Sequence, residues 1–418
     1  MQATKKQWDY SPLLTIIIMI PMVSLYSFSL DLYIPLLPKV QQDLNTSKIM
    51  LQYGNSIFML VCGIGQLFFG PLSDRFGRKP ILLYSILFYI SGAFLCIYSD
   101  TVGPFIISRI LQAIGSCGAY LCCFATIRDI YHNPNKSGAM FSYLNIANSI
   151  SAICAPTIGS FINNYYSWHA VFVVLLIDAI CMLIYCKILF KETAPNIGIR
   201  GNGFIKNYID IFKHINYQVY TLPAAIGIGS FFSFYCISPY LYQQILHVSQ
   251  LHYSLLYGSC GLTFFIGSYI CGVIIEKFGI NTGMWSGLIV HLTGAIIILA
   301  SYYYFKTTVL LPTHIGAILV ILGSSFMIGA GIGGTMAPFK KIAGAAFAMI
   351  SAYKFIFAKL MGDFVMSNYN DTPVSLAEVL IVLNIIAVLI TFLFRGRIKH
   401  YKKEVEITST KSIINTST

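Results

Sequence analysis

Long apolar runs separated by short polar breaks dominate the chain. A membrane-crossing helix needs about 20 predominantly apolar residues. Taking runs between charged or turn-rich breaks gives twelve, near 12–37, 50–70, 80–99, 101–127, 139–163, 168–190, 218–241, 254–276, 283–305, 311–334, 341–366 and 374–395. Lys5 and Lys6 precede the first run, which is too long for the core of a secretory signal and has no small-residue cleavage site after it. It is therefore expected to stay as a membrane helix. The longest polar break, about Lys191 to Tyr217, contains Pro195, Gly198, Gly201, Gly203 and several cations. It divides the spans six and six, the arrangement of two parallel halves around a central site.

Composition supports the bilayer as solvent. Of 418 residues, 56% are hydrophobic and 10% charged, with mean hydropathy +0.72; a soluble domain has no use for so much apolar surface. The net charge of +12 would suit nucleic acid if it covered one soluble face. Instead the cations occupy short breaks, so they report topology and no nucleic-acid partner is expected. With the N-terminus inside, the inner breaks hold Arg75, Arg78 and Lys79; Arg128 and Lys136; Lys187, Lys191, Arg200, Lys206 and Lys213; Lys277; and Lys340 and Lys341. The tail adds Arg395, Arg397, Lys399, Lys402 and Lys403, while the outer breaks hold little beyond Lys39, Lys48 and Lys306. That asymmetry puts both termini in the cytoplasm. The expected division is 1–190 as the N-terminal bundle, 191–217 as a cytoplasmic linker, 218–396 as the C-terminal bundle, and 397–418 as a basic, Ser/Thr-rich cytoplasmic tail.

The eleven cysteines are scattered through apolar runs, with no C-x-x-C and no His/Cys group at metal-ligand spacing. They read as small buried hydrophobes, and neither a metal nor a cofactor is expected. His132, His169, His247, His252 and His291 form no acid–base cluster with a nucleophile, so an enzyme is not expected.

The most ordered polar stretch is Gly70-Pro71-Leu72-Ser73-Asp74-Arg75-Phe76-Gly77-Arg78-Lys79, read as a charged loop between the apolar runs Ile49–Phe69 and Ile81–Ile97. Its glycines permit tight turns and close helix approach, and Asp74 among cations permits a switchable salt-bridge knot. The pattern resembles the signature loop between helices 2 and 3 of major facilitator superfamily (MFS) transporters. A weak echo, Gly272-Val273-Ile274-Ile275-Glu276-Lys277-Phe278-Gly279, stands at the matching place in the second half.

Other stretches resemble the Bcr/CflA-like group of drug:proton antiporters within that superfamily. Helix 1 ends Ser29-Leu30-Asp31-Leu32-Tyr33-Ile34-Pro35-Leu36-Leu37-Pro38, with Leu30 where the group has Thr. A carboxylate inside a span is costly and points to function; Asp31 falls roughly 12 Å below the outer surface at 1.5 Å per residue. In helix 4, Arg109-Ile110-Leu111-Gln112-Ala113 resembles the R-x-x-Q-G motif, and Arg128-Asp129 the end of the same helix. Arg109 lies at nearly the depth of Asp31, so it is expected to pair with Asp31 or with a helix 1 carbonyl, as a proton switch or as a permanent staple. Arg128 and Asp129 are expected to form an inner-face ion pair gating against Asp74. In helix 5, Ala155-Pro156-Thr157-Ile158-Gly159-Ser160 resembles the exporter motif G-P-x-x-G-G, with Pro156 kinking and Gly159 allowing close packing. In helix 7, Ser238-Pro239-Tyr240 resembles the group's S-P-F/Y. Helix 11 departs from the group: Lys359 and Asp363 are four apart and can neutralise each other, whereas Lys354 has no local partner. Lys354 either meets an anionic or zwitterionic substrate or pairs with an acid on another span, Asp178 being one candidate.

The resemblance implies an all-α membrane protein with the MFS fold: twelve transmembrane helices in two pseudo-symmetric six-helix bundles, working by alternating access. It implies a monomeric, proton-coupled antiporter of the bacterial inner membrane that exports drugs or small metabolites. Its expected proton-coupling residues are Asp31 and Arg109. A substrate site is expected from Lys354, Tyr33, Gln112, Phe234, Tyr235, Ser238 and Tyr240, and a gate from Gly70, Asp74, Arg75, Gly77, Arg78, Arg128 and Asp129. A carrier of one anionic metabolite or carboxylate siderophore is the main alternative; a membrane sensor and a lipid-modifying enzyme are more distant ones.

Overall fold

The computed structural model describes residues 8–131, 134–194, 204–339 and 342–394. The tail at 397–418, the linker stretch 195–203, and Lys340 and Lys341 lie outside them. The helices are α1 (Pro12–Asp31), α2 (Leu37–Asp43), α3 (Lys48–Phe76), α4 (Arg78–Ile97), α5 (Val102–Ile130), α6 (Pro134–Tyr165) and α7 (Trp168–Leu189). They continue with α8 (Phe204–Lys213), α9 (Ile215–Tyr240), α10 (Gln250–Phe278), α11 (Ile280–Phe305), α12 (Leu310–Met336), α13 (Ala343–Ser367) and α14 (Val374–Leu393). Among the described residues eleven of these are long and apolar enough to cross a membrane, and α6, 32 residues long, packs against α1 and α10.

Two bundles form as expected. In the first, α4 packs on α5 and α7, α3 on α5, and α1 on α6; in the second, α11 packs on α12, and α9 on α12 and α13. The bundles meet along two long seams, α3 against α13 and α6 against α10. The repeat is visible in the backbone. Gly77 closes α3 at φ 98° and Gly279 closes α10 at φ 85°, a region open to glycine and strained for other residues. At the same spacing as this pair, Gly92 and Gly294 each lie against the backbone of the next helix, α5 and α12 respectively.

Two boundaries differ from the expectation. The Gly70–Lys79 stretch is helix rather than loop: α3 continues to Phe76 and α4 begins at Arg78, so Gly77 alone makes the turn. Pro71 sits inside α3 and has no N–H for the carbonyl of Leu67 four residues earlier. The Tyr208 hydroxyl of α8 donates to that carbonyl at 3.4 Å instead. Pro21 in α1 is treated alike, with Tyr185 of α7 donating to the freed Ile17 carbonyl at 3.4 Å. The first span also stops early, at Asp31, and resumes through the turn Ile34–Leu36 into α2. Pro35 cannot donate to the Asp31 carbonyl, nor Pro38 to that of Ile34, which ends regular α-helix there.

Gly77→Ala is expected to lower the thermal unfolding midpoint in detergent more than Gly279→Ala. Both add backbone strain of order 1–3 kcal/mol, but an added Cβ at Gly77 also meets the Glu192 carboxylate at 2.6 Å, whereas at Gly279 it meets nothing. Gly70→Ala, where a Cβ again meets nothing within 4 Å, should leave the midpoint unchanged. Equal midpoints for all three would refute the assignment.

Candidate functional site

The end of the bundle holding Gly77 and the start of α1 is called here the near end, and the opposite one the far end. Cross-bundle bonds gather at the far end. Lys48 at the start of α3 reaches Asp371 beyond α13 at 2.7 Å, its ammonium lying over the rings of Tyr240 at 5.4 Å and Tyr369 at 5.5 Å. Gln243 donates to the Pro35 carbonyl at 2.9 Å, Ser160 bonds Ser254 at 2.6 Å, and Asn163 bonds Gln250 at 3.2 Å. Deeper along the α3–α13 seam, Ser56 donates to Asp363, which also pairs with Lys359 at 2.9 Å as its spacing suggested. At Gly70, toward the other end of α3, an added Cβ would touch nothing within 4 Å. Among the described residues no ion pair joins the bundles at the near end. This conformation is sealed at the far end.

Asp31 lies at the junction of both bundles. It is 6% exposed and accepts a hydrogen bond from Ser151 of α6 at 3.0 Å. The buried Tyr257 hydroxyl of α10, which has no other partner, faces the same carboxyl from the other bundle. Gly159 sets this geometry. A Cβ at that position would stand 1.7 Å from the Leu32 carbonyl oxygen, so only glycine lets α6 close on the broken end of α1. Of the expected packing motif, Pro156 lies inside α6 and Gly159 makes the contact.

The ion pair expected between Arg109 and Asp31 is absent, as is a bond from Arg109 to a helix 1 carbonyl. Arg109 is fully buried. It donates through Nη1 to Gln112 Oε1 at 2.5 Å and lies between the rings of Tyr33 at 4.7 Å and Phe58 at 4.6 Å. Its Nε and Nη2 have no protein acceptor. The reason is the break in the first span: α1 ends at Asp31, and Tyr33 lies in the turn beyond it. Asp31 and Tyr33 therefore face different neighbours, Asp31 towards α6 and Tyr33 towards Arg109.

The expected substrate residues separate into two places. Tyr33, Gln112, Phe234, Tyr235, Ser238 and Tyr240 are all buried; Gln112 holds Arg109 within the first bundle, and the others gather at Tyr33 and the end of α9. Tyr235 reaches the Leu30 carbonyl at 3.4 Å and Tyr33 at 3.5 Å, Ser238 bonds Tyr253 at 2.8 Å, and Phe234 packs edge-on against Tyr242. Lys354 stands apart on α13, half-buried. Asp178, its suggested partner, is on α7, which packs on α4, α1 and α6. No carboxylate pairs with Lys354 among the described residues.

Most of the expected gate comes together at the near end. Arg78, 1% exposed, bonds Asp129 at 3.0 Å and also pairs with Asp74, and donates to Ser73 at 2.5 Å. Arg128 approaches Asp74 and Asp129 at 3.9 Å each. Arg75 takes no part; it is exposed and stacks on its neighbour Phe76. Sequence reasoning missed Glu192, which accepts from the backbone N–H groups of Arg78 at 2.8 Å and Lys79 at 3.0 Å. It caps α4 from the linker, an anion at a helix N-terminus, and its one sequence signal is a lone acid just after α7. Asp371, Ser151 and Tyr257 were missed too, because each acquires its role only through contacts between distant segments.

Two bundles of antiparallel spans, a seam sealed at one end and ionisable side chains along it define a membrane carrier. The major facilitator superfamily model matches residues 19–367, and the chain belongs to that family. Its relatives include a chloramphenicol resistance protein of Pseudomonas aeruginosa, 28% identical over 84% of this chain and 83% of the relative. They also include a bicyclomycin resistance protein homolog of Haemophilus influenzae, 24% identical over 82% and 87%, and multidrug resistance protein D of Escherichia coli, 24% identical over 83% and 86%. Among solved structures, a bacterial homolog of the human lysosomal transporter Spinster, inward-facing and occupied, superposes with TM-score 0.70 over 92% of this chain and 97% of that one, at 13% identity.

Asp129→Asn should lower the unfolding midpoint more than Asp74→Asn. Asp129 is 7% exposed and Asp74 58%, and removing one partner of a buried ion pair costs about 3 kcal/mol or more. A larger loss from Asp74→Asn would overturn this ranking.

Proposed function

We propose that this transporter exports small molecules, of the kind named for its drug-resistance relatives, in exchange for protons, and that Asp31 carries the proton. The near end is the cytoplasmic face, as the cation distribution suggests, so the conformation described is the inward-facing one and the location is a bacterial inner membrane. The expectation of a monomer is kept as part of this reading.

The position of Asp31 is the observation that carries the proposal. Its carboxyl touches α6 of its own bundle and faces α10 of the other, with no cation within ion-pair distance among the described residues. Rocking one bundle on the other must change its surroundings. A proton taken up while the far end is open removes a charge that the closing seam would otherwise bury, and its release toward the near end leaves the carboxylate to find a cation. Arg109 is positioned to supply that cation, since two of its donors are unused and Tyr33, two residues from Asp31, lies on its guanidinium. Each proton moving inward then supplies about 2.3 kcal/mol per 100 mV, before any pH term. The Asp74–Arg78–Asp129 cluster and its Glu192 cap hold the near-end turn rigid, so that α3 and α4 move as one body.

Inverted vesicles with an imposed proton gradient test this. Candidate solutes, cationic dyes and carboxylates added separately, should collapse the gradient in wild type and fail to do so in Asp31→Asn, with binding retained. Gradient collapse that persists in Asp31→Asn would remove the assigned role of Asp31, and none in wild type with any solute would remove proton coupling.

A further inference from the structure

Lys354 lies in the middle of α13, far from either end of the helix, and among the described residues it has neither an ion-pair partner nor a hydrogen bond. An ammonium at such depth is expensive on any scale and survives where it faces water, a counter-charge or a ligand. Its direction is fixed by its neighbours. Phe347 is seven residues earlier and shares its face, and that face looks across the seam, because Phe347 stacks on Phe124 of α5 at 5.7 Å and 16°.

Phe347 and Phe355, on α13 to either side of Lys354 in sequence, belong to a cross-bundle circuit of rings. Phe124 stacks on Tyr120 at 4.5 Å, Tyr120 meets Tyr26 of α1 at 5.7 Å, and Tyr26 meets Phe355 of α13 at 5.7 Å. The chain of rings thus leaves α13 at Phe347, crosses the other bundle through α5 and α1, and returns to α13 one residue from Lys354. Flat faces suit a flat ligand. The other cation of this depth, Arg109, is shut between Tyr33, Phe58 and Gln112, and Asp31 is engaged by Ser151. A ligand entering from the near end therefore meets aromatic faces and one positive charge.

We infer that this circuit is a binding site for an organic monoanion bearing an aromatic ring, its carboxylate or phenolate on the Lys354 ammonium and its ring among Phe124, Phe347 and Tyr26. The inference rests on the exporter reading above and narrows it to a substrate class. A neutral or cationic ligand of the same shape would leave the ammonium unpaired, so the site selects by charge as well as by shape.

Binding can be read without transport, by calorimetry on the full chain in lipid nanodiscs, with 1-naphthoate, its neutral amide and cyclohexanecarboxylate as probes. Naphthoate is expected to bind wild type about tenfold more tightly than the amide, the scale of one charge-assisted hydrogen bond, and more tightly than cyclohexanecarboxylate. Lys354→Gln should erase the preference for the acid over the amide, and Lys354→Arg should keep it. Phe124→Leu should erase the preference for the aromatic acid over the cyclohexane one. Wild-type protein that does not distinguish acid from amide overturns the inference whether or not the variants fold, and so does an unchanged preference in Lys354→Gln. Naphthoate preference without proton-coupled flux supports the site and removes the exporter reading; proton-coupled export of neutral drugs without that preference does the reverse.

Discussion

The contact between Gly159 and the carbonyl of Leu32 is the constraint on which the rest of the seam depends. A helix backbone cannot approach another this closely with a side chain in between, and at this point an added methyl would stand 1.7 Å from the oxygen. The approach has three consequences along one helix. It places Ser151, about two turns nearer the other end of α6, on the Asp31 carboxyl. It also leaves Ser160, the next residue, free to bond Ser254 across the seam, and brings α10 close enough for Tyr257 to face Asp31. The broken end of α1, the carboxyl and the joint between bundles are thus one mechanical unit. Pro35 helps by ending α1 at Asp31, which gives the Leu32 carbonyl its exposed position.

Prolines inside membrane helices raise a second demand, because lipid offers no donor for the carbonyl each one releases. At Pro21 and Pro71 the chain answers with tyrosines from outside the helix in question. Tyr185 of α7 serves the carbonyl opposite Pro21, and Tyr208 of α8 the one opposite Pro71. The second bond has a functional side. It fastens α8, which belongs to the connection between the bundles and packs on α9 and α13, to the near end of α3 in the first bundle. Glu192 fastens the start of that same connection to α4. The connection is therefore tied to both bundles at the end where they must part and meet.

The membrane-crossing helices were legible in sequence because apolar run length is a local property, as is a glycine where φ must be positive. The same holds for the Lys359–Asp363 pair, one helical turn apart, and for Arg78 with Asp74. Less legible was which way a buried charge points. Asp31 and Arg109 were read as lying at similar depth, but depth does not give azimuth, and the turn that follows Asp31 sends Asp31 and Tyr33 to different partners. The aromatic residues near Ser238 read as a pocket wall, and they are buried in the far-end closure, since a carrier's seam is filled by the side chains that line it in its other state. Lys48 and Asp371 are 323 residues apart, and no local pattern connects them.

Buried polar groups in this bundle fall into two kinds, and hydrogen-bond counting separates them. His291 of α11 is fully buried between Asn384 and Ser230. The Asn384 amide nitrogen donates to the Leu288 carbonyl at 3.1 Å and faces His291 Nδ1 at 2.9 Å. Reversing that amide would set its oxygen against the carbonyl, so Nδ1 is the acceptor and Nε2 carries the proton. That proton goes to Ser230 at 2.8 Å, whose own hydroxyl donates to the Ile226 carbonyl at 2.7 Å. Each ring nitrogen has its complement, and a second proton would set two donors face to face. Such a histidine joins α9, α11 and α14 and has no freedom to titrate without breaking them apart. Arg109, with two unused donors, and Lys354, with no partner among the described residues, are the opposite kind, and Asp31 has a hydroxyl but no countercharge among them. A rigid bundle gains nothing from leaving buried donors and charges incomplete. Groups of this kind are intelligible in a protein with a second conformation, or a ligand, that completes them, and all three lie on the side of the helices that faces the seam or the broken end of α1.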